Sequence, residues 1–111
     1  MILDKKYDYM LAMQDAMDEK KFQLVLTLLL KTADDEIVCQ KNKHEQTLMH
    51  ILAQNSSGAQ QSMLLRIYEA FKKRGVNCTE VDEFGNNPLH YAVEQRCEPL
   101  VLILLEVMSL D

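Results

Sequence analysis

Tryptophan is absent from this chain of 111 residues, and it holds only three glycines and two prolines. So few chain breakers exclude a collagen-like repeat and argue against a disordered, low-complexity polypeptide. Cysteine is scarce too: Cys39, Cys78 and Cys97 are far apart and odd in number. They make no disulfide framework, and a reducing, intracellular location (cytoplasm or nucleus) is expected. Long apolar runs are missing. The longest, 24–30 (broken by Thr27) and 100–105, fall far short of a bilayer span, so no membrane insertion is expected. Met1-Ile2-Leu3-Asp4-Lys5-Lys6 lacks the basic head, apolar middle and small-residue cleavage site of a signal peptide. Positive charge is in deficit, at a net −5, so nucleic acid is not an expected partner.

Catalytic and metal signatures are also lacking. No C-x-x-C or H-x-x-x-H spacing, Gly-rich phosphate loop, G-x-S-x-G or H-E-x-x-H occurs. Asp34-Asp35-Glu36 reads as a solvated acidic loop rather than a cation site. We expect no enzyme activity, no cofactor and no metal. What is present is 48% hydrophobic residues, enough to build the core of one small helix-rich domain.

The organising stretch is Asp82-Glu83-Phe84-Gly85-Asn86-Asn87-Pro88-Leu89-His90-Tyr91-Ala92-Val93. Gly85 suits the positive φ of a tight turn. Asn87 is a good N-cap, since its side-chain oxygen can accept from amides orphaned in the first helical turn. Pro88 suits the position after it, and Leu89, Ala92 and Val93 form an apolar stripe. A second copy lies upstream, Asn42-Lys43-His44-Glu45-Gln46-Thr47-Leu48-Met49-His50-Ile51-Leu52-Ala53, with Thr47 at the place of Asn87 and His50 at that of His90. This pair resembles the ankyrin repeat, whose motif reads D-x-x-G-x-T-P-L-H-x-A-A. Asp82, Gly85, Pro88, Leu89, His90 and Ala92 match it, and the upstream copy keeps Thr47, His50 and Ala53 but has Glu45 for the glycine.

Residues 7–17 carry Tyr7, Met10, Leu11, Met13 and Met17 at helical spacing, and 22–30 reads as a second helix buried on most sides. Laid on the family pattern, Ala16 and Met17 fall at the paired small residues, while Leu24, Val25, Leu28 and Leu29 take apolar positions of the second helix. Leu11-Ala12-Met13-Gln14 stands where T-P-L-H belongs, as befits an atypical terminal repeat. Residues 32–36 read as a polar loop and Ile37-Val38-Cys39 as an extended piece. Ser62 is placed as the cap of a helix reaching Arg74, its apolar face Met63, Leu64, Ile67, Tyr68 and Phe71, closed by Gly75. The two motif histidines are 40 residues apart against a family period of about 33, and the excess fits a loop at 55–61. Pro99 opens a last helix that is apolar on nearly all sides, either because the chain is cut from a longer array or because that face pairs with something, another copy included.

The resemblance implies one all-α domain over 1–111, an ankyrin-repeat solenoid of about three helix-turn-helix units joined by β-hairpin-like fingers. The units span about 6–41, 42–81 and 82–111. It implies structural roles for Thr47, His50, Gly75, Asp82, Gly85, Pro88 and His90, the histidines tying each turn to its neighbour. It also implies a non-catalytic module that binds another protein on a concave surface. The finger-tip sites are then Lys43, His44, Gln46, Glu83, Phe84 and Asn86. The first-helix ends are Asp18 and Glu19, Gln54 and Asn55, and Glu94 and Gln95. Taken singly most of these read as solvated polar residues. Phe84 is either a contact anchor or a ring folded back on its own finger. Basic Lys41, Lys43 and His44 beside acidic Glu80, Asp82 and Glu83 suit a partner carrying both charges. Two other readings remain: a regulatory or spacer segment of a larger enzyme or channel, and self-association through the last helix.

Overall fold

Residues 5–32 and 34–109 are described in the computed structural model, with side chains described from 8 to 107 apart from Ala33. Among these described residues seven helices follow in order: α1 (Lys5–Asp18), α2 (Phe22–Lys31), α3 (Asp35–Val38), α4 (Leu48–Gln54), α5 (Gln61–Lys73), α6 (Pro88–Glu94) and α7 (Glu98–Ser109). Helices α1, α4 and α6 pack side by side in one layer and α2, α5 and α7 in a second. Each layer-crossing pair is a helical hairpin, and stacking three of them gives an elongated body of 44 × 27 × 22 Å. Met13, Met17, Leu48, Met49, Leu52, Leu64, Ile67, Phe71, Leu100 and Leu104 are fully buried and run through the stack as one core.

Several boundaries follow the local chemistry. Lys20 takes a left-handed φ of 62° and ends the first hairpin's turn. Gly75, at φ 91°, ends α5, with its N–H on the Lys72 carbonyl and the Val76 N–H on that of Phe71. The extra loop after α4 is anchored rather than loose. Ser56 is buried and donates its hydroxyl to the Ala53 carbonyl, and Lys20 Nζ donates to the carbonyls of Asn55 (2.7 Å) and Ser57 (2.8 Å).

Four expectations are corrected. Ile37-Val38-Cys39 is not extended: Asp34 accepts the Glu36 N–H on its side chain and nucleates the single turn of α3. Helix α5 starts at Gln61 rather than after a Ser62 cap, because the Gln60 carbonyl already accepts the Leu64 N–H. Helix α2 is buried on one face only: Val25 and Leu29 face the core, while Leu24 and Leu30 stand in solvent. Leu11, counted with the apolar stripe of α1, is 44% exposed. The side chain of Tyr7 lies outside the described residues.

Candidate functional site: paired finger turns beside a groove

The stretches before α4 and α6 are built alike. Asn42 Oδ1 accepts the N–H groups of His44 (2.9 Å) and Gln46 (3.0 Å). Forty residues on, Asp82 Oδ1 accepts those of Phe84 and Asn86, both at 3.0 Å. Each turn is closed by backbone: Asn42 N–H to the Gln46 carbonyl at 3.0 Å, Asp82 N–H to that of Asn86 at 2.8 Å. The fourth residue of each is left-handed, Glu45 at φ 62° and Gly85 at φ 79°. Among the described residues no strand forms. The fingers are side-chain-capped turns rather than strand pairs.

The two turns are bolted together. Glu83 N–H donates to the His44 carbonyl at 3.0 Å, His44 Nδ1 lies 2.5 Å from Glu83 Oε1, and the rings of His44 and Phe84 sit 5.4 Å apart. Lys41 pairs with Glu80 at the base. Beneath the tips, Gln46 takes the Asn42 amide on its Oε1 and donates its own to Asp82 Oδ2 at 3.0 Å. Tyr91 donates its hydroxyl to the same Oδ2 at 2.5 Å. Burial pushes the Asp82 carboxyl up, but the donors from Tyr91, Gln46 and the Asn86 and Phe84 amides outweigh it and hold the pKa at about 2. Asp82 is therefore an anion that gathers four donors from two fingers and α6.

His50 is fully buried. Its Nδ1 accepts the Thr47 N–H at 3.1 Å, which leaves the proton on Nε2 to be donated to the Asn86 carbonyl at 3.0 Å. One ring thus caps α4 and grips the next finger. Burial lowers its pKa and keeps it neutral, against opposing contributions from the Asn86 carbonyl and Asp82. His90 repeats the first half of this arrangement: its Nδ1 accepts the Asn87 N–H at 2.9 Å while Asn87 Oδ1 accepts the His90 N–H at 3.0 Å. It is exposed, and its Nε2 has no hydrogen-bond partner among the described residues.

The other expected contact residues divide into two groups. Lys43, Glu83 and Phe84 are exposed at the tips, with Phe84 at 61%, and His44 is half-exposed between them. Phe84 is therefore not folded into its own finger. Gln46 is buried and Asn86 half-buried, because both side chains join the network beneath the tips. Gln54 and Asn55 are half-buried, and Asn55 spends its amide on the Ile51 carbonyl at the end of α4. Glu94 is exposed, while Gln95 is half-buried and caps α6. Asp18 and Glu19 are exposed at the end of α1. Pro88 is buried at the first turn of α6.

Tyr91 escaped sequence reading because it stands at the motif's unspecified position; a buried hydroxyl beside Asp82 cannot be inferred from spacing. Also missed is a groove of about 600 Å³ between α1 and the first finger, with Met10, Leu11, Gln14 and Asp15 on one wall and residues 40–44 on the other.

Among the described residues no three His, Cys, Asp or Glu side chains gather as a metal site. Burial raises the thiol pKa of Cys39 and of Cys78, so both stay protonated and weakly nucleophilic. Among the described residues no helix is long and apolar enough to cross a membrane. Comparison with curated proteins gives no match. The family model described as ankyrin repeats (3 copies) matches residues 10–110. With its three stacked helical hairpins, its turn-capping histidines and this match, the chain belongs to the ankyrin-repeat family.

Proposed function

We propose that this chain is a non-catalytic module that binds another protein through its finger tips and first-helix ends, with repeats at about 6–41, 42–81 and 82–111. Ankyrin repeats are in general protein-interaction modules. The observation that carries the reading is the contrast within each finger. Asn42, Gln46, Asp82 and Asn86 are tied into a network, while Lys43, Glu83 and Phe84 project from it into solvent. A rigid base holding exposed tips at fixed spacing loses little ordering entropy on binding. Phe84 serves as the apolar anchor, with Lys43 and Glu83 selecting a partner of mixed charge.

The test is affinity capture with the parent domain and a Lys43→Glu, Glu83→Lys, Phe84→Ala variant, both first shown to be folded by circular dichroism. Specific proteins retained by the parent and lost from the variant support the tips as the site. Equal retention by both places the contact elsewhere. Leu102 and Leu105, 58% and 47% exposed on α7, favour self-association as the second reading; a strict monomer by light scattering at high concentration removes it.

A further inference from the structure

The finger-to-finger contact gives a template for what the groove beside α1 takes up. In that contact His44 uses its main chain and side chain together: its carbonyl accepts the Glu83 N–H, and its ring meets the Glu83 carboxylate. The residue of the first finger equivalent to Glu83 is Lys43, three places before the Gln46 that matches Asn86. Its N–H has no hydrogen-bond partner among the described residues, and its ammonium makes no ion pair among them. The cause lies in the first repeat. Counting back from the paired residues Ala16 and Met17, the positions that should form a preceding finger lie inside α1, which is helical from Lys5. Helix replaces finger, and the groove of about 600 Å³ is the space left over.

We infer that this groove binds an extended acidic segment of a partner protein, laid along the first finger as a surrogate finger. One Asp or Glu of that segment would do what His44 does for Glu83, with the carboxylate now on the segment. Its carbonyl accepts the Lys43 N–H, and its carboxylate pairs with Lys43 Nζ. An apolar neighbour in the segment covers Leu11, which stands 44% exposed on the α1 wall beside buried Met10. Lys41 is already paired with Glu80 and Glu45, which among the described side chains leaves Lys43 as the lysine that selects the acid. Asp15, on the α1 wall, opposes a second carboxylate there and so sets which side of the segment the acid occupies. The inference rests on the interaction-module reading and adds to it a location, a backbone contact and a partner chemistry.

The experiment uses the full chain, labelled with nitrogen-15, and two pools of capped heptapeptides with Leu, Val, Ser and Thr flanks. One pool has Asp or Glu at the centre, the other Lys or Arg. The expected result is that the acidic pool alone moves the Lys43 amide resonance downfield and slows its hydrogen exchange. Lys43→Glu, which keeps the N–H, should weaken binding about fivefold or more. Lys43→Pro, which removes both the ammonium and a donor the protein itself does not use, should weaken it about fivefold more than Lys43→Ala, which removes the ammonium alone. An unmoved Lys43 amide, equal binding of the basic pool, or undiminished binding by Lys43→Glu overturns the inference. So does a shift of the same amide on concentrating the protein without peptide, which would mean that a second copy occupies the groove. If the peptides fail while a captured protein is still lost from Glu83→Lys, Phe84→Ala, the module reading stands and the groove alone is refuted.

Discussion

Glu45 and Gly85 hold the same left-handed position in the two fingers with opposite suitability for it. A β-carbon at φ near 60° crowds the following carbonyl, at a cost of about 1 kcal/mol or more, whereas glycine meets no such clash. Glu45 recovers little, since its ion pair with Lys41 is long at 3.8 Å and its side chain is largely exposed. Glu45→Gly should therefore raise unfolding stability by about 0.5–1 kcal/mol, and Gly85→Ala should lower it by about 1 kcal/mol. An added Cβ at Gly85 has no atom within 4 Å, so that loss is backbone strain alone. Urea denaturation of the two variants checks the pair, and a gain on placing alanine at Gly85 would contradict it. The motif's glycine is thus explained by a dihedral angle, and its absence from the upstream copy by tolerance of a modest strain.

At the scale of elements, α4 and α6 are joined to the fingers by two titrating groups whose pKa values are both lowered, His50 and Asp82. For each, the unfolded chain binds the proton more readily, so stability rises with pH across the titration. His50 contributes in full above its unfolded pKa near 6.5, and that part fades as pH falls below it. Asp82 contributes in full above about 4, and its part is lost as pH falls toward its folded value of about 2. The melting temperature should accordingly decline in two stages on acidification. Asp82→Asn should flatten the lower stage and leave the upper one, a comparison readable from calorimetry between pH 7 and 2.5. These joints also mark how far the sequence could be read. For His50 and His90 the family resemblance implies a ring tying each turn to its neighbour; His50 reaches the Asn86 carbonyl of the next finger, whereas His90 caps its own helix through Asn87. The helix boundaries of α4 and α6 were legible from Thr47, Asn87 and Pro88. The α3 turn was not, because three β-branched or sulfur side chains in a row read as strand until Asp34 is seen to cap them. Gln46 was not, because the direction of a polar side chain at a turn depends on Asp82, 36 residues away.

Across the whole molecule, a stack of hairpins is held by nearest-neighbour contacts, so one junction can set how cooperatively the chain unfolds. Between the first and second repeats that junction has an unusual fastener. Arg74, at the end of α5, donates Nη1 to the Leu29 carbonyl and Nη2 to that of Thr32, each at 2.8 Å, and its Nε lies 2.5 Å from Asp35. The guanidinium thereby closes the C-terminus of α2, whose last carbonyls need donors, with a cation placed where the helix dipole favours one. In the sequence it reads only as a basic residue ending its own helix. Beside it the Tyr9 hydroxyl is buried with no hydrogen-bond partner among the described residues. Burial pushes its pKa up to about 12 against the pull of Arg74. Lacking a finger, the first repeat is joined to the second through α1 on α4, α2 on α5, and side chains that include Lys20 on the Asn55 and Ser57 carbonyls and the Arg74 guanidinium. Arg74→Ala should therefore cost about 2–3 kcal/mol, since it removes charge-assisted bonds and leaves half-buried carbonyls unpaired. The loss should be local before it is global. Hydrogen exchange should quicken through α1 and α2 while α5, α6 and α7 keep their protection, and the urea transition should broaden as the first repeat separates from the rest. Arg74→Lys should restore little, because the three acceptors are spread over the Nε, Nη1 and Nη2 positions of a planar fork that a single compact ammonium does not reproduce. A uniform rise in exchange over all three repeats would mean instead that the stack unfolds as one unit and that Arg74 is an ordinary helix cap.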